Sequence, residues 1–192
     1  MMQRLVAAGL SAADGDGLDR DFVPDIRLAD GETVSGGDWS LEVLHTPGHL
    51  GTHICLAAEG MLFSGDHVMG WSTSIVSPPD GDMGAYMASL GRLAARNWTR
   101  FLPGHGDAIE DPAQRLHELI AHRRQREAQI LESLAEGPQD AARIAARLYP
   151  GLTERLRPAA RRNVLAHLID LFEKSRVTSP DPAHPDARFS LP

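Results

Sequence analysis

Cysteine and long apolar runs are scarce in this chain of 192 residues. Cys55 is the only cysteine in the sequence, which excludes an internal disulfide and is typical of a reducing compartment. Because Cys55 lies between isoleucine and leucine, we expect a small buried residue rather than a nucleophile. No run of about 18 apolar residues occurs, and residues 1–10 lack the apolar stretch of a secretion signal. The sequence therefore predicts a cytoplasmic protein without a membrane span.

Basic residues are also scarce at the front of the chain. Residues 1–117 contain 7 basic and 16 acidic residues, whereas residues 118–192 contain 12 basic and 10 acidic ones. The front part is therefore a poor surface for nucleic acid. The back part could present a local basic patch or, more simply, a solvated helical surface with many salt bridges. The arginines available for such a patch are Arg123, Arg124, Arg126, Arg161 and Arg162.

Short β-strands are predicted after a loop at residues 11–25, which is rich in aspartate and glycine. Asp30 and Gly31 form a typical hairpin signal between two apolar segments. Apolar and polar residues then alternate from Trp39 to Val43, as in a half-buried strand. The pattern predicts strands at residues 26–28, 32–34, 39–43, 52–57 and 61–64.

Helix caps mark the next elements of the chain. Asp82 is placed to cap a helix that follows it directly. Asp111 followed by Pro112 is typical of a cap and the first residue of a helix, which would run to about residue 136. Between these two helices, residues 99–102 are predicted to form another short strand.

The last part of the chain has a different character. Two further helices are predicted, and two short segments could pair as a terminal hairpin. The helices would span residues 140–149 and 154–173, and the hairpin would join residues 177–178 to residues 188–191. Helices followed by a hairpin suggest a small winged-helix-like module. The sequence therefore predicts an α/β domain at residues 1–118 and a winged-helix-like helical domain at residues 119–192.

Three short segments each place a metal-capable side chain just after a strand-like run. The segments are HTPGH at residues 45–49, SGDH at residues 64–67 and LPGHG at residues 102–106. Neutral imidazole and carboxylate are ligands that Zn²⁺ takes in catalytic sites. The sequence therefore predicts that His49, Asp66 and His105 converge at one edge of a sheet. For Asp66, the simpler interpretation is an aspartate that only caps a turn.

Three histidines lie four residues apart around the first of these segments. A helix would bring them to one face, but Pro47, Gly48 and Gly51 make a regular helix unfavourable. In a turn only one or two of the three can point into a site. We expect His49 to be the ligand, and His45 and His53 to have structural roles.

The ordered segments TPGHLGTH, FSGDHVMGWST and LPGHGDAI resemble the second half of the metallo-β-lactamase-like hydrolases. The resemblance continues through AHRRQREAQIL and the C-terminal helices. Within the family, the chain is similar to the β-lactamase-like protein 2 subgroup. It implies an αββα sandwich that holds one or two metal ions, usually zinc, at the edges of its sheets. It also implies a helical C-terminal domain.

The resemblance further implies a role for each candidate ligand. His49 would belong to the first metal site, Asp66 would bridge both metals at the catalytic centre, and His105 would belong to the second site. The metals would generate hydroxide at neutral pH and polarise the bond to be cleaved. The implied cofactor is zinc, with one or two ions in a complete protein.

The family's main ligand motif, His-x-His-x-Asp-His, should lie upstream of His49, but no histidine precedes His45. We therefore expect the chain to correspond to the C-terminal half of the fold and to bind zinc only weakly or partially. The sheet would then expose an apolar face that its own N-terminal half or a second copy, as in a homo-oligomer, would cover. The residues expected on that face are Trp39, Leu41, Val43, Ile54 and Leu56.

Three functions compete at this stage. The first is a metal-dependent hydrolase with a small-molecule or RNA substrate, cleaving an ester, thioester, lactam or RNA phosphodiester. The second is a non-catalytic interaction module that associates through exposed apolar surface. The third is a winged-helix nucleic-acid binder, in which residues 154–173 would form the recognition helix. Its phosphate contacts would be Arg155, Arg157, Arg161 and Arg162.

Overall fold

A computed structural model describes residues 6–7 and 21–192, so the first ten residues of the predicted loop at 11–25 lie outside it. None of the helices in the described part is both long and apolar enough to cross a membrane. The elements follow in the order β1 (Thr33–Gly36), β2 (Trp39–His45), β3 (Ile54–Ala58), β4 (Met61–Gly65), α1 (Met83–Ala94), β5 (Arg100–Pro103), α2 (Pro112–Leu134), β6 (Gln139–Asp140), α3 (Ala141–Leu148), a 3₁₀ turn (Glu154–Leu156), α4 (Arg157–Glu173) and β7 (Arg188–Phe189).

Strands β1 to β5 form one sheet in sequential order. The first three junctions are antiparallel, whereas β4 and β5 run parallel because α1 crosses over between them. The predicted hairpin at Asp30 and Gly31 is wrong, since β1 pairs with β2 through the turn at residues 37–38. The Asp30 carboxylate instead accepts hydrogen bonds from the His45 backbone N–H at 2.7 Å and from Arg92 at 2.6 Å.

The predicted helix caps are confirmed. Asp82 accepts a hydrogen bond from the Ala85 backbone N–H at 2.8 Å, and α1 begins at the next residue. Asp111 accepts one from the Gln114 backbone N–H at 2.9 Å, and Pro112 is the first residue of α2. In both cases the side chain satisfies a donor that the first helical turn leaves free.

The two faces of the sheet are covered unequally. One face packs against α1 and α2 and contributes fully buried side chains, among them Leu44, Cys55, Leu62 and Phe101. The opposite face, here called the open face, holds Leu41, Val43, Ile54, Leu56, Phe63 and Leu102. Phe63 is 43% exposed there, and most of its neighbours are only half-buried. Val43, which we expected to need a partner for its burial, is already fully buried.

The C-terminal part has its own core between α2, α3 and α4. The strands β6 and β7 pair at its edge, and Thr178 bridges Ser190, so the predicted terminal hairpin is confirmed only in part. The predicted recognition helix is divided into the 3₁₀ turn and α4, and residues 164–171 of α4 are all buried. This stretch lies in the core and presents no surface to nucleic acid.

Candidate metal centre

The topology brings the three candidate ligands to one edge of the sheet. Strands β2, β4 and β5 all run in the same direction, because β2 and β4 are each antiparallel to β3 and β5 is parallel to β4. Their carboxyl ends therefore meet at the same edge. His49 follows β2, Asp66 follows β4 and His105 follows β5.

Asp66 and His105 lie next to each other at this edge. The His105 Nε2 atom is 3.6 Å from the Asp66 Oδ1 atom, and the two side chains are 69% and 36% exposed, respectively. Gly104 makes this approach possible, because a Cβ atom at that position would lie 2.7 Å from Asp66 Oδ1. The Gly104 N–H also donates to the Gly65 carbonyl at 2.9 Å, which ties the two strand ends together.

His49 is held by the loop that connects β4 to α1, here called the site loop (residues 66–82). Its Nδ1 atom is 2.6 Å from the Ile75 carbonyl oxygen, so Nδ1 carries the proton and Nε2 keeps its lone pair. His49 also lines a small cavity of about 90 Å³ together with Ile75 and Asp80. A ring nitrogen fixed in this way by a carbonyl is the usual arrangement of a metal-binding histidine.

His53 lies beside His49, with 6.4 Å between their ring centroids. Its Nδ1 atom is 2.9 Å from the Thr46 hydroxyl, and burial lowers its pKa to about 4, with the neighbouring His49 adding to the effect. The charge of Asp66 acts on His53 in the opposite direction, so His53 faces both candidate ligands. His45 contacts the Gly51 carbonyl at 3.0 Å. Both histidines make local contacts of the kind expected for structural residues.

His67, which directly follows Asp66, was not singled out from the sequence. It is fully buried, and neither ring nitrogen has a hydrogen-bond partner. Its ring lies 4.7 Å from Tyr86 and 5.6 Å from His53 by centroid distance, and burial lowers its pKa to about 3. A neutral imidazole is therefore packed directly behind the candidate ligands.

The described residues present part of a metal-binding donor set. Asp66 and His105 are adjacent, and His49 has a free ring nitrogen of fixed orientation. However, no three histidine, cysteine, aspartate or glutamate side chains within the described part of the chain are grouped closely enough to hold a metal ion. A catalytic zinc takes three protein ligands and keeps one position open. The residue types fit a metal, but they do not complete its coordination.

The site loop is fastened to the body of the protein by groups that no local motif predicts. The Ser74 hydroxyl donates to the Asp66 carbonyl at 2.5 Å, and Arg115 on α2 donates to the carbonyls of Met69 at 2.8 Å and Ser72 at 2.6 Å. Arg123, two turns further along α2, donates to the Ser74 carbonyl. Trp71 is 71% exposed, although the residues on both sides of it are held by these bonds.

Cys55 is fully buried, as expected from its apolar neighbours. Its sulfur lies 3.2 Å from the Thr46 hydroxyl, and burial raises the pKa of the thiol to about 11. The thiolate is therefore not formed at neutral pH, which excludes nucleophilic chemistry at this residue.

The chain thus combines a mixed five-stranded sheet, an Asp–His pair at the end of that sheet and a helical C-terminal module. The profile of the Metallo-beta-lactamase superfamily matches residues 4–105, and that of the Beta-lactamase associated winged helix domain matches residues 141–183. The chain belongs to the metallo-β-lactamase superfamily, and it carries the winged-helix domain associated with it.

Two animal proteins called Beta-lactamase-like protein 2 homolog are similar in sequence. The protein of Drosophila melanogaster is 37% identical over 72% of this chain and 47% of its own length. The protein of Caenorhabditis elegans is 32% identical over 79% of this chain and 51% of its own length. The chain therefore spans about half the length of the curated relatives it matches.

Among solved structures, a metallo-beta-lactamase family protein from Thermus thermophilus aligns with a TM-score of 0.74 and 30% identity, over 86% of this chain and 54% of its own. A beta-lactamase domain protein from Burkholderia ambifaria aligns with a TM-score of 0.78 and 26% identity, over 90% and 54%. The predicted fold class and winged-helix module are confirmed. The expectation that only the C-terminal half of the fold is present is not confirmed, because the family match begins at residue 4.

Proposed function

We propose that this chain forms part of a metal-dependent hydrolase in which His49, Asp66 and His105 are metal ligands and Asp66 is the catalytic carboxylate. The observation that carries the proposal is the 3.6 Å separation of Asp66 and His105 at the edge where three parallel strand ends meet. Membership of the superfamily supports a hydrolase-type activity. Zinc, with one or two ions, is the proposed cofactor, and the bound ion would supply hydroxide at neutral pH.

The residues of this chain have separate tasks in the proposal. The Ile75 carbonyl holds the His49 ring with Nε2 available to a metal. The Ser74 hydroxyl and the Arg115 guanidinium keep the loop around Asp66 in place through its carbonyl groups. The neutral ring of His67 closes the interior behind Asp66, which excludes water from that side. Together these contacts fix the donor atoms before a metal arrives.

We propose that the remaining ligands come from a partner that covers the open face, either the N-terminal half of the fold or a second copy of the chain. The half-buried apolar side chains of that face support this proposal, since monomeric proteins rarely leave such faces wet. The proposed substrates remain esters, thioesters, lactams or RNA phosphodiesters. The proposed cytoplasmic location rests on the single buried cysteine. The domain boundary at residues 118 and 119 likewise stays a prediction.

Zinc titration followed by assays on a nitrophenyl ester, a thioester, a β-lactam and a phosphodiester tests this proposal. The isolated chain should bind zinc weakly and turn over slowly, and both signals should fall at least about tenfold in Asp66→Asn. Asp38→Asn is the matched control, because Asp38 is an exposed aspartate in the β1–β2 turn, far from the edge that holds Asp66. Equal losses in both variants, or tight binding of two zinc ions that survives Asp66→Asn, would contradict the proposed ligands.

A further inference from the structure

Four basic side chains crowd together where α2 meets α4, beside the site loop. They are His122, Arg123, Arg126 and His167, here called the basic cluster. Arg123 is only 2% exposed and His167 only 1%, whereas His122 and Arg126 are half-buried at the rim. On α2, Arg126 lies next to both His122 and Arg123, because these residues precede it by four and three positions.

Neither arginine of the basic cluster has a carboxylate partner among the described residues. Arg123 donates to the Ser74 carbonyl and to the Asn163 side-chain oxygen at 3.2 Å, and its guanidinium lies 5.2 Å from the centre of the Tyr86 ring. Arg126 donates to Gln129 at 2.8 Å and lies 4.5 Å above the ring of Tyr149. Two guanidinium groups are therefore packed among neutral groups.

The cluster also contains donors without any acceptor. The Nε–H groups of Arg123 and Arg126 are buried donors that lack hydrogen-bond partners. The ring nitrogens Nδ1 of His122 and Nδ1 and Nε2 of His167 are also buried without partners, and each neutral ring contributes one donor. Burial lowers the pKa of Arg123, with Arg126 adding to the effect. Burial together with the charges of Arg123 and Arg126 lowers the pKa of His167 to about 3. A site that gathers uncompensated positive charge and unused donors is suited to an anion.

Two acidic residues on the same two helices are already paired with other basic groups. Asp170 on α4 accepts from Lys174 at 2.7 Å, and Glu127 on α2 lies 3.6 Å from Arg176. They are therefore not available to neutralise the basic cluster. A negative charge would have to come from outside the described residues.

We propose that the basic cluster binds a phosphate group. Two guanidiniums match the charge of a phosphate dianion better than that of a single carboxylate, and arginine donates to phosphate oxygens through a planar pair of N–H groups. Ser74 connects this site to the candidate metal centre, because its hydroxyl bonds the Asp66 carbonyl while its own carbonyl accepts from Arg123. The basic cluster is thus a subsite for a phosphate-bearing substrate, and this assignment rests on the proposed function. The binding of phosphate to the cluster does not depend on the proposed function.

Titration of the metal-free chain with inorganic phosphate in EDTA, at constant ionic strength with chloride as the balancing salt, tests the proposal. Calorimetry should show saturable binding that is at least about tenfold weaker in Arg126→Gln, because hydrogen bonds to a charged group are lost. Arg124→Gln, an exposed arginine on the same helix, should change the affinity less than about twofold.

Two further ligands identify the source of the phosphate. Glycerol phosphate represents a phosphomonoester, and a short oligonucleotide without terminal phosphates represents a phosphodiester. Binding of either one that is lost in Arg126→Gln supports the site, and the ratio of their affinities shows which source it prefers. Acetate that binds as tightly as phosphate, a chloride response of equal size, or an equal loss in Arg124→Gln would each overturn the proposal.

The failure of the phosphate site can be distinguished from the failure of the proposed hydrolase. Phosphate binding that depends on Arg126 in a chain without metal-dependent turnover would keep the anion site and reject the hydrolase. Metal-dependent turnover that depends on Asp66, in a chain that does not bind phosphate, would keep the hydrolase and reject the anion site.

Discussion

The sheet and the C-terminal helical module differ in how completely they bury their apolar side chains. The module closes its core on all sides, with α2, α3 and α4 packed around residues such as Leu168 and Phe189, both fully buried. The sheet packs one face against α1 and α2 but leaves its open face half-covered. It also presents its polar donors at an exposed edge, where His105 is 69% exposed.

This difference separates stability from function in the chain. The module buries its apolar core with its own residues, so substitutions in that core should act on folding. The sheet leaves both apolar surface and metal-capable donors incompletely used, which is the condition of a surface built for a partner or a ligand. Substitutions in the two regions should therefore differ in kind as well as in size.

The largest expected effect is on the closed core. Phe189→Ala should lower the free energy of unfolding by about 3–5 kcal/mol, because the ring is fully buried at the edge ribbon of the module. Urea denaturation followed by circular dichroism measures it. Phe22→Ala, at a ring that is 69% exposed, is the control and should cost less than about 0.5 kcal/mol. A similar loss in both variants would show that the module is not closed.

The second prediction concerns the acid sensitivity of the same core. His167 is neutral when folded, with a pKa of about 3 instead of 6.5, because burial and the nearby Arg123, Arg126, His122 and Lys174 disfavour its charged form. As the pH falls, the unfolded chain binds a proton at His167 before the folded chain does. The contribution of His167 to the free energy of unfolding is therefore complete above pH 6.5 and is lost between pH 6.5 and pH 3. Between pH 7 and pH 5 the free energy of unfolding should fall by about 2 kcal/mol because of this residue.

The comparison of wild type with His167→Gln isolates that contribution, since other buried histidines add to the acid sensitivity of both proteins. The difference in unfolding free energy between the two should shrink by about 2 kcal/mol as the pH falls from 7 to 5. A difference that stays constant over this range would mean that His167 binds its proton over the same pH range in the folded and the unfolded chain.

The elements that were predicted correctly depend on neighbours in sequence. Asp82 and Asp111 cap helices through contacts three residues away, and their side-chain chemistry alone indicates this. The meeting of Asp66 and His105 was predicted because each directly follows a strand-like run, and the like direction of β4 and β5 brings them together. The position of His49 in relation to them stays a prediction about a metal-loaded site.

The features that were not predicted depend on distant parts of the chain. Arg115 and Arg123 reach carbonyl groups of the site loop that lie 43 to 49 residues earlier, and a carbonyl carries no sequence signature. The hairpin was misplaced for a similar reason. Asp30 resembles a turn residue, but Arg92, 62 residues later, and the His45 N–H bind its carboxylate.

The third prediction tests the exposed edge without changing a donor. Gly104→Ala would place a methyl group against Asp66 Oδ1 and should weaken zinc binding about tenfold, the size expected when the support of a ligand is disturbed. The control is Gly91→Ala on α1, where nothing lies within 4 Å of the added carbon. Zinc titration by calorimetry measures both. Unchanged affinity in Gly104→Ala would argue that Asp66 is not a ligand.

The smallest expected effect on folding is at the open face. Phe63 is 43% exposed and lies between Leu56 and Leu102 across the strands, so Phe63→Glu should change the unfolding free energy of the isolated chain by less than about 1 kcal/mol. Its effect on assembly should be large, because a charge would enter the surface that a partner covers. Light scattering should give a mass above the 20.8 kDa of one chain for wild type and a mass near that value for the variant.

Ile26→Glu, at an exposed residue outside the sheet, should leave the assembly intact. A wild-type chain that is monomeric at every concentration and unfolds cooperatively would contradict the second-copy proposal.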